Sequence, residues 1–171
     1  AGASVVVADI NGKGAKAVTA ELPDAISFQL DVSSEEQNRA LIEATLEAFG
    51  KIDVFCANAG IPHRAKMMVK QDLEEFDSMW AINVRSIFLA AKYCVPHMPE
   101  GSSIVNTSSI GAKRPRPGLA AYYAAKGAVV TLTKAMAIEL APKIRVNAVC
   151  PVSAPTGFDM NAVGSENLSP E

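Results

Sequence analysis

The sequence predicts an α/β protein, a parallel sheet covered by helices on both faces. Three observations carry that expectation. Short strand-type runs of Val and Ile recur, beginning with Ser4-Val-Val-Val-Ala8. They alternate with longer stretches of helical period. Polar or small residues stand where the runs stop: Asp9, Asp31, Asn58, Ser109 and whatever follows Pro151. Strands buried on both faces read as continuous apolar runs, because crossover helices cover each side. Ligands of such sheets bind outside the carboxyl ends of the strands. The row of polar strand ends is therefore one candidate site.

Taken in order, Ser4–Ala8 is a strand closed by Asp9, and Gly12–Leu22 is a helix with Ala15, Val18 and Leu22 on one face. Pro23-Asp24 is a turn, and Ala25–Leu30 is a second strand followed by Asp31-Val32. Ser33 or Ser34 caps the next helix, with Glu36 or Gln37 three residues on, a capping-box pattern. That helix carries Leu41, Ile42, Leu46 and Phe49 inward and stops at Gly50. Ile52–Ala57 is a third strand ending in Asn58-Ala59-Gly60, and a loop runs from Ile61 to about Lys70. A long helix follows, Asp72 to Met98, then a strand, Ser103–Thr107, and a helix, Ala121–Leu140, stopped by Pro142. Ile144–Cys150 is the fifth strand; residues 151–171 carry no clear element.

A chain of 171 residues with 49% hydrophobic and 20% charged residues is expected to be one globular domain. A net charge of −2 without a dominant basic patch argues against a nucleic-acid partner. No apolar stretch reaches the ~18 residues of a membrane helix, so no membrane association is expected. Cys56, Cys94 and Cys150 read as buried thiols of a cytoplasmic protein, and His63 and His97 lack the partners for a zinc site, so no metal is expected.

The residues able to do proton chemistry centre on Ser108-Ser109 and Tyr122-Tyr123-Ala124-Ala125-Lys126. Tyr122 and Lys126 are four apart and share a helix face. A phenol with a reference pKa near ~10 needs a drop of about three units, worth ~4 kcal/mol, to act as a base near neutrality. One close cation in a low-dielectric site supplies that order of energy. Tyr123 has Gly127 at the corresponding position, so Tyr122 is preferred. The alternative is a half-buried Tyr and a solvated Lys on an amphipathic helix. Asn83 interrupts the apolar stripe Leu73, Phe76, Trp80, Ile87. A buried amide without partners costs about 1–3 kcal/mol, so it must be satisfied by backbone, water or a functional group. Asp9 is either an exposed turn aspartate or an acceptor for ribose hydroxyls. Asn58-Ala59-Gly60 is either an ordinary turn or a place where a flat ring approaches closely.

Together and in order, these pieces resemble the short-chain dehydrogenase/reductase family. The resemblance rests on the acid after the first strand, Asp31-Val32 after the second and Asn58-Ala59-Gly60 after the third. It continues through Asn83-Val-Arg-Ser-Ile-Phe88, Ile104-Val-Asn-Thr-Ser-Ser109, Tyr122-x-x-x-Lys126 thirteen positions after Ser109, and Arg145-Val-Asn-Ala-Val-Cys-Pro151. It spans about Ser4 to Thr156.

The resemblance implies a Rossmann-like, doubly wound parallel sheet and an NAD-dependent oxidoreductase acting on a secondary alcohol or ketone. It implies Tyr122 as general acid/base, Lys126 lowering the Tyr122 pKa and binding the nicotinamide ribose, and Ser109 holding the substrate oxygen. Asn83 would hold a water in a proton relay. Asp9 would bind the adenosine ribose and favour NAD over NADP; Asp31 and Val32 would flank the adenine. Asn58, Ala59, Gly60 and Pro151 would line the cofactor cleft, and Thr156 would contact the nicotinamide amide. A homo-oligomer, dimer or tetramer, is implied, with the long helix and the Tyr122 helix as its faces.

Two departures stand out. The family's opening strand, Gly-x-x-x-Gly-x-Gly loop and helix are not seen before Ser4, and its last helices and strand are not seen after Thr156. Val152 replaces the usual Gly after Pro151. The fold is thus expected to be incomplete as given, with a gap between the Asp9 and Ile52 strands. The alternative to the enzyme is a truncated, catalytically inactive relative that only binds or assembles. Substrate contacts are expected from His63, Arg64, Lys66 and Met67, from Ile110 to Leu119, and from the tail after Pro151. Lys113, Arg114 and Arg116 either meet an acidic substrate or are solvated charges.

Overall fold

The computed structural model of the chain describes residues 2–152. Among the described residues, five strands form two parallel ladders. β1 (Val5–Asp9) pairs with β2 (Ala25–Gln29), from Val5 opposite Ala25 to Asp9 opposite Gln29. β3 (Val54–Ala57), β4 (Ser103–Thr107) and β5 (Arg145–Val149) pair in that spatial order. The register sets Val54 against Ser103 and Ser103 against Arg145. No ladder bonds join the two sets, which is the expected break between the Asp9 and Ile52 strands.

The helices are α1 (Gly12–Thr19), α2 (Glu35–Phe49), α3 (Leu73–Trp80), α4 (Ser86–Cys94) and α5 (Ala120–Leu140). Ile42 of α2, Ile87 of α4, Ile104 of β4, Val129 of α5 and Val146 of β5 meet in the main core. Sheet and helices thus share one interior, with α5 packed along β5 and α2 along α4.

The long helix is one rod broken by a π turn. Ala81–Arg85 joins α3 to α4 in π geometry, and a 3₁₀ turn, Val95–His97, ends the rod at Pro96. Leu73, assigned to the apolar stripe, is 79% exposed, because it is the first residue of α3 and projects beyond the packed turns. Asn83 lies within the π turn and is 1% exposed.

Other departures have local causes. α1 ends at Thr19 rather than Leu22, and only Ala15 of its expected inner face is buried, because a two-stranded ladder offers little surface to cover. Cys56 is exposed rather than buried. It shares a strand face with Val54, also exposed, and no helix covers that face. Cys94 is fully buried, and burial pushes its thiol up to about 12. Cys150 is half-buried.

α2 starts as expected, with Ser34 Oγ accepting from Gln37 N at 3.3 Å, and stops at Gly50 in the left-handed region at φ 74°. The second half of the capping box is rerouted. Gln37 Oε1 accepts from Asp31 N at 2.8 Å, fastening the β2 end to the helix. Asn38 completes that joint: Nδ2 donates to Val32 O at 2.8 Å and Ser34 O at 2.7 Å from a buried position. Across the molecule, Glu35 Oε1 accepts from Lys92 Nζ at 2.8 Å and Tyr93 Oη at 2.6 Å, which ties α2 to α4.

Asn38→Ala removes both side-chain bonds and leaves Val32 O without its amide partner at a buried turn, while Ser34 O keeps the bond from the backbone N–H of residue 38. It is expected to lower unfolding free energy by about 1–3 kcal/mol in chemical denaturation. An unchanged midpoint would remove the turn from the account of stability.

Candidate functional site

Two reciprocal contacts join the end of β4 to α5. Lys126 Nζ donates to Thr107 O at 2.9 Å, and Ser108 Oγ donates to Lys126 O at 2.7 Å. The backbone of the strand end is fixed from the other side by Ser108 N, which donates to Val149 O at 2.8 Å. Ser108 is therefore the structural serine of the pair, buried and engaged. Ser109 is half-buried; its Oγ accepts from Gly111 N at 3.1 Å and opens a 3₁₀ turn, Ile110–Ala112. An accepting hydroxyl keeps its own proton to donate.

Lys126 is 3% exposed, with its Nζ 5.8 Å from the centroid of the Tyr122 ring. Burial alone pulls its ammonium down from 10.5 to about 8. Tyr122 is also buried, with its ring centroid 5.7 Å from that of Tyr123. Tyr123 does structural work that its spacing did not announce. A Cβ at Gly111 would lie 1.9 Å from Tyr123 Cε1, so the ring lies directly on the turn that carries Ser109. The signal available in the sequence was a small residue two positions after Ser109.

The end of β3 meets the same point. Asn83 clasps one residue from both sides: its Oδ1 accepts from Ile61 N at 3.1 Å, and its Nδ2 donates to Ile61 O at 2.9 Å. A Cβ at Gly60 would stand 2.6 Å from Asn83 Oδ1 and 3.2 Å from Lys126 Nζ. Asn83 is held by two bonds and Lys126 by one, so neither can yield cheaply, and position 60 has no room for a side chain. Gly60, Asn83 and Lys126 thus converge, with Tyr122 one helical turn before the ammonium.

Asn58 Oδ1 accepts from Thr107 Oγ1 at 3.1 Å across the ends of β3 and β4, and Ala59 is exposed. Pro151 O accepts from Ile110 N at 2.9 Å, which brings the chain after β5 beside the Ser109 turn. Asp9 and Asp31 sit apart from this cluster, on the β1–β2 ladder. Asp9 Oδ1 accepts from Asn11 N at 2.8 Å. Asp31 Oδ1 accepts from Ser33 N at 2.9 Å and Ser33 Oγ at 2.7 Å. Val32 follows, its carbonyl bonded to Asn38. Thr156 lies outside the described residues.

The loop after Gly60 crosses to the loop before α5. Lys66 N donates to Gly118 O at 3.0 Å, and its ammonium pairs with Glu75 at 2.7 Å and Asp72 at 3.4 Å. His63 is buried rather than presented outward, its Nδ1 donating to Arg64 O at 2.7 Å. Arg64, Met67, Lys113, Arg114 and Arg116 are exposed.

The chain matches the family described as enoyl-(acyl carrier protein) reductase over residues 1–169. It is 35% identical over 171 residues to the short-chain dehydrogenase/reductase SDRA of Arabidopsis thaliana, covering 98% of this chain and 67% of that one. Tropinone reductase-like 3 of Erythroxylum coca is 34% identical over 161 residues, 92% of this chain and 62% of its own length. The chain thus spans about two thirds or less of these curated relatives. In three dimensions it is similar to 3-ketoacyl-(acyl-carrier-protein) reductase from Brucella melitensis complexed with NADH. That likeness has a TM-score of 0.91 and 41% identity, covering 95% of this chain and 70% of that one. No helix among the described residues is long and apolar enough to cross a membrane.

The buried ammonium has a pH signature. A lysine at about 8 in the folded chain and 10.5 when exposed binds fewer protons folded than unfolded between those values. Stability contributed by this group therefore rises with pH from about 8 to 10.5, by roughly 3 kcal/mol at full extent. Lys126→Met should flatten the rise in urea denaturation across that window. A wild type whose pH dependence matches the variant's would disprove the burial argument.

Proposed function

The chain belongs to the short-chain dehydrogenase/reductase family, and from that premise we propose that it is an NAD-dependent oxidoreductase acting on a secondary alcohol or ketone. The observation that carries the reading is a buried ammonium, Lys126, one turn from the buried phenol of Tyr122, with Nζ 5.8 Å from its ring centroid.

The residues present fit a nicotinamide dinucleotide. Asp9 spends Oδ1 on the turn and keeps Oδ2 for the paired hydroxyls of an adenosine ribose; the same carboxylate repels a 2′-phosphate, which favours NAD over NADP. Asp31 and Val32 would flank the adenine. Asn58, Ala59, Gly60 and Pro151 would line the cleft, where two small residues admit a flat ring. Lys126 uses one N–H on Thr107 O and has two left for the nicotinamide ribose. Thr156 would meet the nicotinamide amide.

A bound nicotinamide supplies or takes up the hydride at the substrate carbon. The chain's own residues handle the oxygen. Ser109 donates its free proton to the carbonyl or alkoxide oxygen and orients it. Tyr122 gives a proton to that oxygen in reduction and removes it in oxidation, and the neighbouring ammonium favours the phenolate form. Asn83, clasped to Ile61, holds the backbone beside which a relay water would stand. Ile61 engages one N–H and one lone pair of its amide, which leaves one of each for a water, and a carboxamide does not titrate near neutrality, so we assign it the position of that water rather than proton transfer itself.

The reading extends to assembly as a second copy of this chain, in a dimer or tetramer formed through α4 and α5. Phe88 on α4 is 60% exposed and Ile138 on α5 is 80% exposed, more than a solvated helix face ordinarily carries. Phe88→Glu is expected to shift the protein toward monomer in analytical ultracentrifugation; a wild-type sedimentation value already monomeric would sink this part.

NADH oxidation against a panel of ketones tests the activity. Tyr122→Phe is expected to lower kcat/KM by at least about 100-fold, with NADH binding retained. Asp9→Ala should weaken NADH while narrowing the preference over NADPH. Turnover undiminished by Tyr122→Phe would defeat the mechanism, and NADH binding without any turnover would favour the binding-only alternative.

A further inference from the structure

Charge is distributed unevenly in this chain. Its net charge is −2, yet neither residues 54–71 nor residues 101–138 contain a single Asp or Glu. The first stretch includes the loop that leaves β3, and the second runs from β4 through most of α5. Both border the Gly60–Lys126 cluster. Five exposed cations stand on their loops: Arg64, Lys70, Lys113, Arg114 and Arg116. None of the five forms an ion pair among the described residues, whereas their neighbour Lys66 is paired with Glu75 and Asp72.

The backbone brings the two groups together and fixes them against the Ser109 turn. Lys66 N bonds to Gly118 O, and Arg64 and Arg116 each lie two residues before one end of that bond. Lys113 N and Arg114 N both donate to Ile110 O at 2.9 Å, so these two cations grow from the turn that Ser109 opens. Pro115 and Pro117 flank Arg116 and restrict its backbone, which reduces the entropy lost when it is held by a ligand. Guanidinium groups present planar forks that match carboxylate, sulfonate or phosphate oxygens.

We infer that the rim formed by Arg64, Arg114 and Arg116 is a subsite for an anionic group on the substrate, so that the alcohol or ketone taken here is a small organic anion. The anion sits at the rim while the reacting oxygen reaches Ser109 and Tyr122. This rests on the oxidoreductase reading and specifies its substrate class. A cofactor phosphate is a poorer occupant. Asp9, the assigned ribose acceptor, lies on the other ladder, whereas these cations branch from the substrate-oxygen side.

The test compares 4-acetylbenzenesulfonate with its neutral isostere 4-acetylbenzenesulfonamide. Binding to the whole chain is measured by calorimetry at low and high salt, and NADH-dependent reduction is measured alongside. The sulfonate is expected to bind about tenfold tighter at low salt, with the advantage shrinking as salt screens it. Arg64→Ala/Arg116→Ala should bring the sulfonate-to-sulfonamide ratio close to one. Lys143→Ala, an exposed cation at the opposite end of the sheet, should leave the ratio as it was. Equal binding of the two probes, or a preference that survives the double variant, overturns the subsite. Turnover of neutral ketones with no anion preference would overturn the subsite and leave the oxidoreductase reading standing. Arginine-dependent sulfonate binding without any turnover would do the reverse. Failure of both probes to bind or react would overturn both.

Discussion

A buried ammonium with no carboxylate beside it among the described residues sets the terms for its surroundings. Removing a charge from water is expensive, and two things follow: burial lowers the Lys126 pKa to about 8, and one of its N–H groups is given a carbonyl rather than an acid. A carboxylate would neutralise the group more fully but would also occupy its remaining donors. The carbonyl must then be held in place. Ser108 does this twice, through its backbone to Val149 and its hydroxyl to Lys126 O, so the strand end, β5 and the helix are fixed by one residue. Gly60 follows from the same demand, since any side chain there would collide with Asn83 and press on the ammonium.

The π turn belongs to this arrangement. An added residue in a helical turn displaces the regular hydrogen-bond pattern and redirects the side chains that follow. Here it carries a buried Asn whose amide matches the donor and acceptor of Ile61 as a second strand would. Ile61 is left with no backbone polar group unpaired at a point where β3 has already ended. The β1–β2 ladder is attached by different means. Glu35 collects Lys92 and Tyr93, with Arg85 reaching Ser33 O at 2.9 Å, so exposed polar contacts join this half to α4. Such contacts orient more than they stabilise.

Much of this was legible in the sequence. Strand-type runs and helical periods placed all five strands, because a fully covered parallel sheet leaves few other readings of Val-rich runs. The Tyr122–Lys126 spacing survived because α5 is regular over its whole length. Asn83 was legible as an anomaly, but its partner was not, since Ile61 lies in a loop that no local pattern ties to a helix. The long helix was read with its extent nearly right but without its π turn, because a π turn has no propensity signature. Cys56 was assigned inward because it sits in a strand, and Val18 because it shares a helix face with Ala15 and Leu22. Whether an apolar face is covered depends on which elements lie over it, and the break between the ladders leaves these two uncovered. Gly111 went unread for a related reason: the need for glycine there comes from the Tyr123 ring, a neighbour twelve positions away.

Asp9 shows how two readings posed as alternatives are compatible. It was either a turn residue or a ligand acceptor, and it makes a turn bond through Oδ1, as Asp31 also does. A carboxylate offers two oxygens and about four lone-pair sites, so one turn bond leaves most of its capacity unused. That bond also fixes the side chain's torsion, with Oδ1 facing its own backbone and Oδ2 facing away. A group oriented in advance loses less entropy when it binds. The turn bond would therefore keep a short acidic side chain at a strand end ready, and it is compatible with the proposed binding role rather than opposed to it.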